Sequence, residues 1–208
     1  MFTEDLPPAE LRFIESIRCV LGEPQLLPLH EKRMLRTLEA QVPESTLAKA
    51  LRTRGLMHML EPYLAELSTE HCLKLRFIYT PNEICAPRGE TYTPRCIRHV
   101  HLMSLPVGAS YEYKWEDRRV LEVEGMEEDE EVLFVSEGLL TDTRFSNIVL
   151  NLGGELLTPR VPLLPGVMRE HLLVSGHIRL ADLTPEDWYR ADNYYLINAM
   201  RPLPEGLF

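Results

Sequence analysis

From Phe145 to Leu152 the chain reads FSNIVLNL, an apolar run with little internal polarity. A run of this kind is a strand buried on both faces, and it constrains the fold more than any other stretch. Asn151, Gly153 and Gly154 punctuate it, and Glu155 to Thr158 can return as the second arm of a hairpin. Pro162, Pro165 and Gly166 then stop regular structure. A helix follows, with Val167, His171, Leu172 and Val174 on its apolar side. Residues 141–173 therefore predict strand, turn, short strand, Pro-rich loop and helix. Asp142 and Asn147 place a carboxylate and an amide at the edge of the buried strand. A helix opening after Pro-Gly leaves unpaired backbone N–H groups, which suit a phosphate. Taken singly these features have ordinary readings: an Asx-turn at Asp142, a plain helix entry at Pro165-Gly166.

The flanking sequence alternates helix and strand patterns. Arg12 to Val20 alternates apolar and polar as a half-buried strand, turned by Leu21-Gly22-Glu23-Pro24. Leu29 to Gln41 has helical spacing through Leu29, Met34, Leu35 and Leu38, and Pro43 closes it. Further helices are predicted from Ser45 and over Leu56 to Leu67, the latter broken at Pro62. His71 to Tyr79 reads as a strand, Pro81 to Gly89 as a loop, and Tyr92 to Met103 as a strand with Pro94 near an edge. The pattern breaks around Ser104 to Ala109, which places a join there. Trp115 to Met126 reads as a helix, Glu127 to Glu131 as a solvated acidic turn, and Val132 to Val135 as a strand. After the central segment come a strand near His177 to Leu180, a helix capped by Thr184-Pro185-Glu186, and a strand over Tyr194 to Asn198. Interleaved helices and strands indicate α/β or α+β, in two small domains, residues 1–103 and 107–208.

With 208 residues, 45% of them hydrophobic, the chain can hold one sizeable domain or two small ones around a cleft. Its net charge of -10 argues against a nucleic-acid partner, which needs a basic face. No apolar stretch is long enough to span a bilayer, and the N-terminal MFTEDLPPAE is acidic where a signal peptide would be basic. Cys19, Cys72, Cys85 and Cys96 lack metal-site spacing, so no metal site is expected and the thiols are expected to stay reduced. The cytoplasm is the default compartment.

The lysines are Lys32, Lys49, Lys74 and Lys114. Lys32 and Lys49 lie in polar helical stretches and Lys74 on the polar phase of a strand. Lys114, in YEYKWEDRR, follows Tyr111 and Tyr113 at the start of the second half. On local sequence alone it is a surface residue preceding a helix. The longer pattern Asp142…Ser146-Asn147-Ile148, Leu157-Thr158-Pro159 and Gly166-Val167-Met168-Arg169 resembles that of the class IV aminotransferases. These pyridoxal-phosphate enzymes include branched-chain and D-amino acid aminotransferases and 4-amino-4-deoxychorismate lyases. The resemblance runs from about Phe13 to Pro204, thinnest between Glu39 and Glu70.

The resemblance implies a fold-type IV architecture with pyridoxal 5'-phosphate between the two domains, in a cytoplasmic homodimer. It makes Lys114 the Schiff-base lysine, since YxYKxxDR is similar to the version in short members. Asp142, where most members carry Glu, would face the pyridine nitrogen, with Asn147 beside it. Arg33, in the His30-x-x-Arg33 pattern at the start of the first long helix, would hold the phosphate. Gly166 and the backbone N–H groups of Val167 and Met168 would hold it too. Asn198-Ala199, in a terminal N-A-M-R-P similar to that of the lyases, would cap it from the other side. Asp117, Arg118 and Arg119 stand where longer members carry a partner for the ring hydroxyl, and whether Arg118 substitutes is left open. Arg18, Arg95 and Arg98, on predicted strands, are candidates for a substrate carboxylate.

By this resemblance the reaction is amino transfer between an amino acid and a 2-oxo acid. One alternative is elimination of pyruvate from aminodeoxychorismate. The other is a non-catalytic homologue that serves as a binding or scaffold dimer.

Overall fold

The computed structural model describes residues 11–67, 72–204 and 206–207. The acidic Met1 to Glu10 stretch and His71, the expected first residue of a strand, lie outside them. Strand β1 (Phe13–Val20) leads through a turn into the short β2 (Glu23–Pro24). Helices α1 (Leu27–Gln41) and α2 (Thr46–Leu64) follow, then β3 (Leu73–Tyr79) and β4 (Ile84–Thr91). The strands form one antiparallel sheet in the order β2-β1-β3-β4.

Alternation in β1 sends Phe13, Glu15, Ile17 and Cys19 inward. Phe13, Ile17 and Cys19 join Met34, Leu38, Leu47, Leu51, Leu56 and Leu60 of the two helices in one core. The break in the helical stretch falls at Gly55, with φ 77°, not at Pro62, which is carried inside α2. Leu56 N–H, which loses its helical acceptor there, donates to Glu31 Oε2 at 2.7 Å.

The second half has two sheets. Strand β5 (His99–Ser104) runs parallel to β6 (Glu130–Ser136), which pairs antiparallel with β7 (Leu139–Thr143). The apolar run forms β8 (Asn147–Leu152) and turns into β9 (Glu155–Pro159). Helix α3 (Val167–Val174), β10 (Arg179–Ala181), α4 (Pro185–Arg190) and β11 (Asn193–Ile197) follow, and the sheet order is β10-β9-β8-β11. Thr184 caps α4 in a capping box with Asp187.

Several expectations need correcting. The expected loop at Pro81 to Gly89 is largely strand β4, an edge strand next to a register shift in β3. Of the expected strand Tyr92 to Met103, only the end is regular, as β5. The expected helix Trp115 to Met126 is one 3-10 turn, Arg119–Leu121. There Asp117 accepts from Arg119 N–H at 3.0 Å, a local bond that competes with helix, and Gly125 sits at φ 75°. Strand β7, which carries Asp142, was not foreseen. Phe145 and Ser146 precede β8, Phe145 in a bend with Arg144, and Phe145 is exposed. Glu131 is buried and paired with Arg144, not solvated. In α3 the buried side chains are Val167, Met168, Arg169 and Leu172, while Val174 is exposed.

The two halves are stitched beside β1. Ile14 N–H donates to Lys114 C=O at 3.0 Å and Glu116 N–H to Arg12 C=O at 3.0 Å. The Phe13 and Trp115 rings meet at a tilt with centroids 4.5 Å apart. Lys32 of α1 also pairs with Glu170 of α3. Lys114 is thus anchored through its backbone to the first sheet. The expected join at 104–106 falls just after β5, whose ladder runs to β6 in the second half.

Candidate active site

One pocket gathers residues from four separated segments: Arg33 of α1, Lys114 and Arg118, Asp142 of β7 with Asn147 at the start of β8, and Gly166 with Val167 at the start of α3. Asn198 and Ala199, just after β11, also line it. The second half supplies most of the wall, and α1 and the backbone-anchored Lys114 close it.

Burial lowers the Lys114 amine to about 7. The positive charge of Arg33 pushes the same way, and Glu15 opposes. A lysine of this kind holds a large unprotonated fraction at neutral pH, so its Nζ is nucleophilic.

Asp142 is buried, and Asn147 Nδ2 donates to its Oδ1 at 2.8 Å while Leu164 N–H donates to its Oδ2 at 2.9 Å. Burial raises its carboxyl to about 6 despite those two donors and the charge of Arg169. Asn147 Nδ2 also donates to Leu164 C=O at 2.9 Å, so one amide ties the acid to the Pro-rich loop. The loop approaches so closely that a Cβ on Gly166 would lie 2.0 Å from Asn147 Oδ1. No side chain caps the start of α3 at Gly166. Val167 lines the pocket, whereas the Met168 side chain packs into the core with Val149 and Ile197. Arg169 reaches back to Pro159 C=O at 2.7 Å and holds the loop's other end.

Arg33 is buried and its fork is partly committed: Nε and Nη2 donate to the two oxygens of Glu15, at 2.8 and 2.5 Å. His30 Nδ1 bonds the same carboxylate at 2.8 Å. Arg33 and His30 hold Glu15 ionised, well below the usual carboxylate range, against the opposing effect of burial. Sequence reading passed over Glu15, although an acid on the inward phase of β1, between Phe13 and Ile17, was its visible signal.

Arg118 lines the pocket, donates to Arg144 C=O, and lies over the Phe145 ring at 4.4 Å. Asn198 Nδ2 donates to Phe145 C=O, and its Oδ1 accepts from Met200 and Arg201 N–H, so it knots the chain end to the bend before β8. Of the arginines expected to meet a substrate carboxylate, Arg95 lines an adjoining pocket that also holds Lys114. Arg18 and Arg98 line neither pocket, and Arg98 is exposed with Asp129 at 3.8 Å.

Residues 117–204 match the family model described as amino-transferase class IV. That span includes Asp142, Asn147, Gly166 and Asn198. Arg33 and Lys114 precede it and rest on the pocket geometry. An uncharacterized Haemophilus influenzae protein is 32% identical over 95 residues, 45% of this chain and 50% of that protein, so the match spans about half of that relative. A Haemophilus somnus crystal structure, provisionally described as a 4-amino-4-deoxychorismate lyase, aligns with TM-score 0.71 at 21% identity over 93% of this chain and 98% of that one. The PLP-bound form of a hypothetical aminotransferase from Mycobacterium tuberculosis aligns with TM-score 0.68 at 17% identity, over 97% and 85% of the two chains. The mixed α+β fold expected from the sequence is the fold of these neighbours.

Proposed function

We propose that the chain is a pyridoxal-phosphate enzyme of the class IV type that transfers an amino group between an amino acid and a 2-oxo acid. The convergence of Lys114, Asp142 and Arg33 on one pocket carries the reading. The donor set fits the cofactor. An amine with its pKa near 7 suits an aldehyde, and a buried carboxylate suits a protonated ring nitrogen. A guanidinium and the uncapped start of α3, with its Val167 and Met168 N–H groups, suit a phosphate. The close passage at Gly166 keeps the loop against Asn147, where any larger residue would fill the space.

When bound there, pyridoxal phosphate supplies an electron sink for the substrate's α-carbon. Asp142 keeps a negative charge at the ring-nitrogen position, held by Asn147 and the Leu164 N–H. The Lys114 Nζ takes up and returns the α-proton, a role open to an amine that is partly unprotonated at neutral pH. Burial keeps water from the Asp142 carboxylate, while Lys114 stands half-buried in the pocket wall. We place the enzyme in the cytoplasm as a homodimer, by analogy with the family.

A second reading, elimination of pyruvate from aminodeoxychorismate, is favoured by Asn198-Ala199 lining the pocket in the lyase-like N-A-M-R-P context. The deciding experiment is the visible spectrum of purified protein with added pyridoxal phosphate, before and after borohydride, with Lys114→Ala in parallel. A visible band in wild type, fixed by borohydride and missing from the variant, is expected. A colourless wild type at saturating cofactor overturns the enzyme reading in favour of a non-catalytic scaffold. Amino acids should then bleach the band of a transaminase. A lyase should instead release pyruvate from aminodeoxychorismate with no 2-oxo acid present.

A further inference from the structure

Glu131, the last member of the acidic run, is buried beside the Arg144–Phe145 bend that joins β7 to β8. Its Oε1 accepts from Arg144 Nε at 2.6 Å, and Arg144 Nη2 donates to the Glu130 C=O at 3.2 Å. The Arg144 side chain thereby pins the bend to β6. The bend in turn forms part of the pocket wall, with Arg144 and Phe145 both lining it. Arg118 leans on the bend twice: it donates to the Arg144 C=O, and its guanidinium lies over the Phe145 ring at 4.4 Å. Charge adds to this tie. Glu131 attracts the Arg118 guanidinium, while Arg144 and Arg76 repel it. Around the Lys114 amine stand Arg33 of α1, Glu15 of β1, Arg76 of β3 and Arg118 of its own segment. Arg33 is fixed by Glu15, and Arg76 is exposed on its strand. The place of Arg118 depends on the bend, and the place of the bend depends on Glu131.

We infer that Glu131 is a positioning residue for the Lys114 amine: it pins Arg144, and the pinned bend keeps the Arg118 cation in the pocket wall with Lys114. A cation there disfavours the ammonium form and leaves the amine free to attack. The inference deepens the enzyme reading above and rests on it, because the amine concerned is the one that reading uses. Two accounts of Glu131 differ in sign. As a bare negative charge it would favour the ammonium, so its removal would make Lys114 easier to deprotonate. As the anchor of Arg118 it acts the other way. Its removal lets that guanidinium retreat toward solvent, and Lys114 becomes harder to deprotonate.

The test is competitive labelling of the lysines of the purified chain with trace acetic anhydride across a range of pH, read peptide by peptide in a mass spectrometer. Lys32 and Lys49, both exposed, are the internal references. Arg118→Met should raise the titration of Lys114 by about one unit, read as roughly fivefold slower labelling at neutral pH. Glu131→Gln should move it in the same direction, and Arg118→Lys, which keeps the cation, should stay near wild type. In an Arg118→Met background, Glu131→Gln should add nothing. If Glu131→Gln does not fold, Glu131→Gln joined with Arg144→Met removes both charges, strands no buried ion, and is read the same way. A Lys114 titration that stays put or falls on loss of Glu131 overturns the inference. So does one that rises further in the Arg118→Met background. Pyridoxal phosphate is added to separate portions of the same samples. A chain that colours yet shows no shift defeats this inference alone. A chain that shows the shifts but never colours defeats the enzyme reading and leaves the hold of Glu131 on Arg118 standing.

Discussion

Glu15 is a fully buried carboxylate bonded to the Arg33 guanidinium and to the His30 ring, and its worth lies in what its loss would strand. Arg33 is itself buried and relies on both Glu15 oxygens, so removing the negative charge leaves an uncompensated guanidinium in the wall of the active site. Breaking one partner of a buried pair typically costs about 3–5 kcal/mol. Glu15→Gln is expected to destabilise the fold by about that much at neutral pH, measured by denaturant titration. The pH dependence has a definite sign. Arg33 and His30 depress the folded-state ionisation of Glu15 below its ordinary value of 4.5, although burial opposes them. The stabilisation is therefore full above that ordinary value and fades as the pH falls below it, toward the folded value. The gap between wild type and Glu15→Gln should narrow as the medium is acidified through that range. A gap that is small at neutral pH, or that stays constant on acidification, would show that Arg33 does not depend on the charge of Glu15.

At the level of elements, the site hangs on the loop between β9 and α3, and Gly166 marks its tightest point. Its backbone is ordinary, with φ -75°, so the constraint is space and not conformation. In Gly166→Ala the new Cβ meets Asn147 Oδ1 and displaces the amide that serves both Asp142 and Leu164. Overpacking of this sort costs about 1–3 kcal/mol. It should also weaken pyridoxal-phosphate uptake, since the carboxylate loses its fixed partner. In an Asn147→Ala background the same substitution should cost far less, because the obstructing oxygen is gone; additive costs in the double mutant would contradict the steric account. The elements that were legible in sequence are those with local signals. The β8–β9 hairpin had its Gly pair, α3 its Pro-Gly entry and α4 its Thr184-Pro185 cap. The stretch after Lys114 was misread because Val120, Leu121 and Val123 mimic a helical stripe. In the fold Leu121 instead packs with Tyr111, Val132 and Phe134. β4 was hidden by Pro87, and β7 by its polar Thr-Asp-Thr end, where burial comes from the neighbouring strands and the Pro-rich loop. Asp142 and Lys114 could be named from the resemblance, but the Glu15–Arg33 pair joins residues whose meeting depends on β1 packing against α1.

For the whole molecule, the residues proposed to hold the ligand come from both halves of the chain. Arg33 comes from the first sheet's helix layer, Asp142 and the start of α3 from the second half, and Lys114 from the segment bonded to β1. A ligand that engages all of them binds only the assembled fold. Binding therefore stabilises that fold by mass action, by about 2.7 kcal/mol at a hundredfold excess over Kd. For a chain of this size 1 kcal/mol shifts Tm by about 2–4 °C. Saturating pyridoxal phosphate should accordingly raise the melting temperature by about 5–10 °C in differential scanning calorimetry. In Lys114→Ala the shift should be smaller, because the phosphate and ring contacts remain while the amine is missing. A single sharpened transition is expected, since the ligand couples the halves. If the cofactor instead moved only one of two resolved transitions, the halves would be unfolding independently and the pocket would belong to one of them.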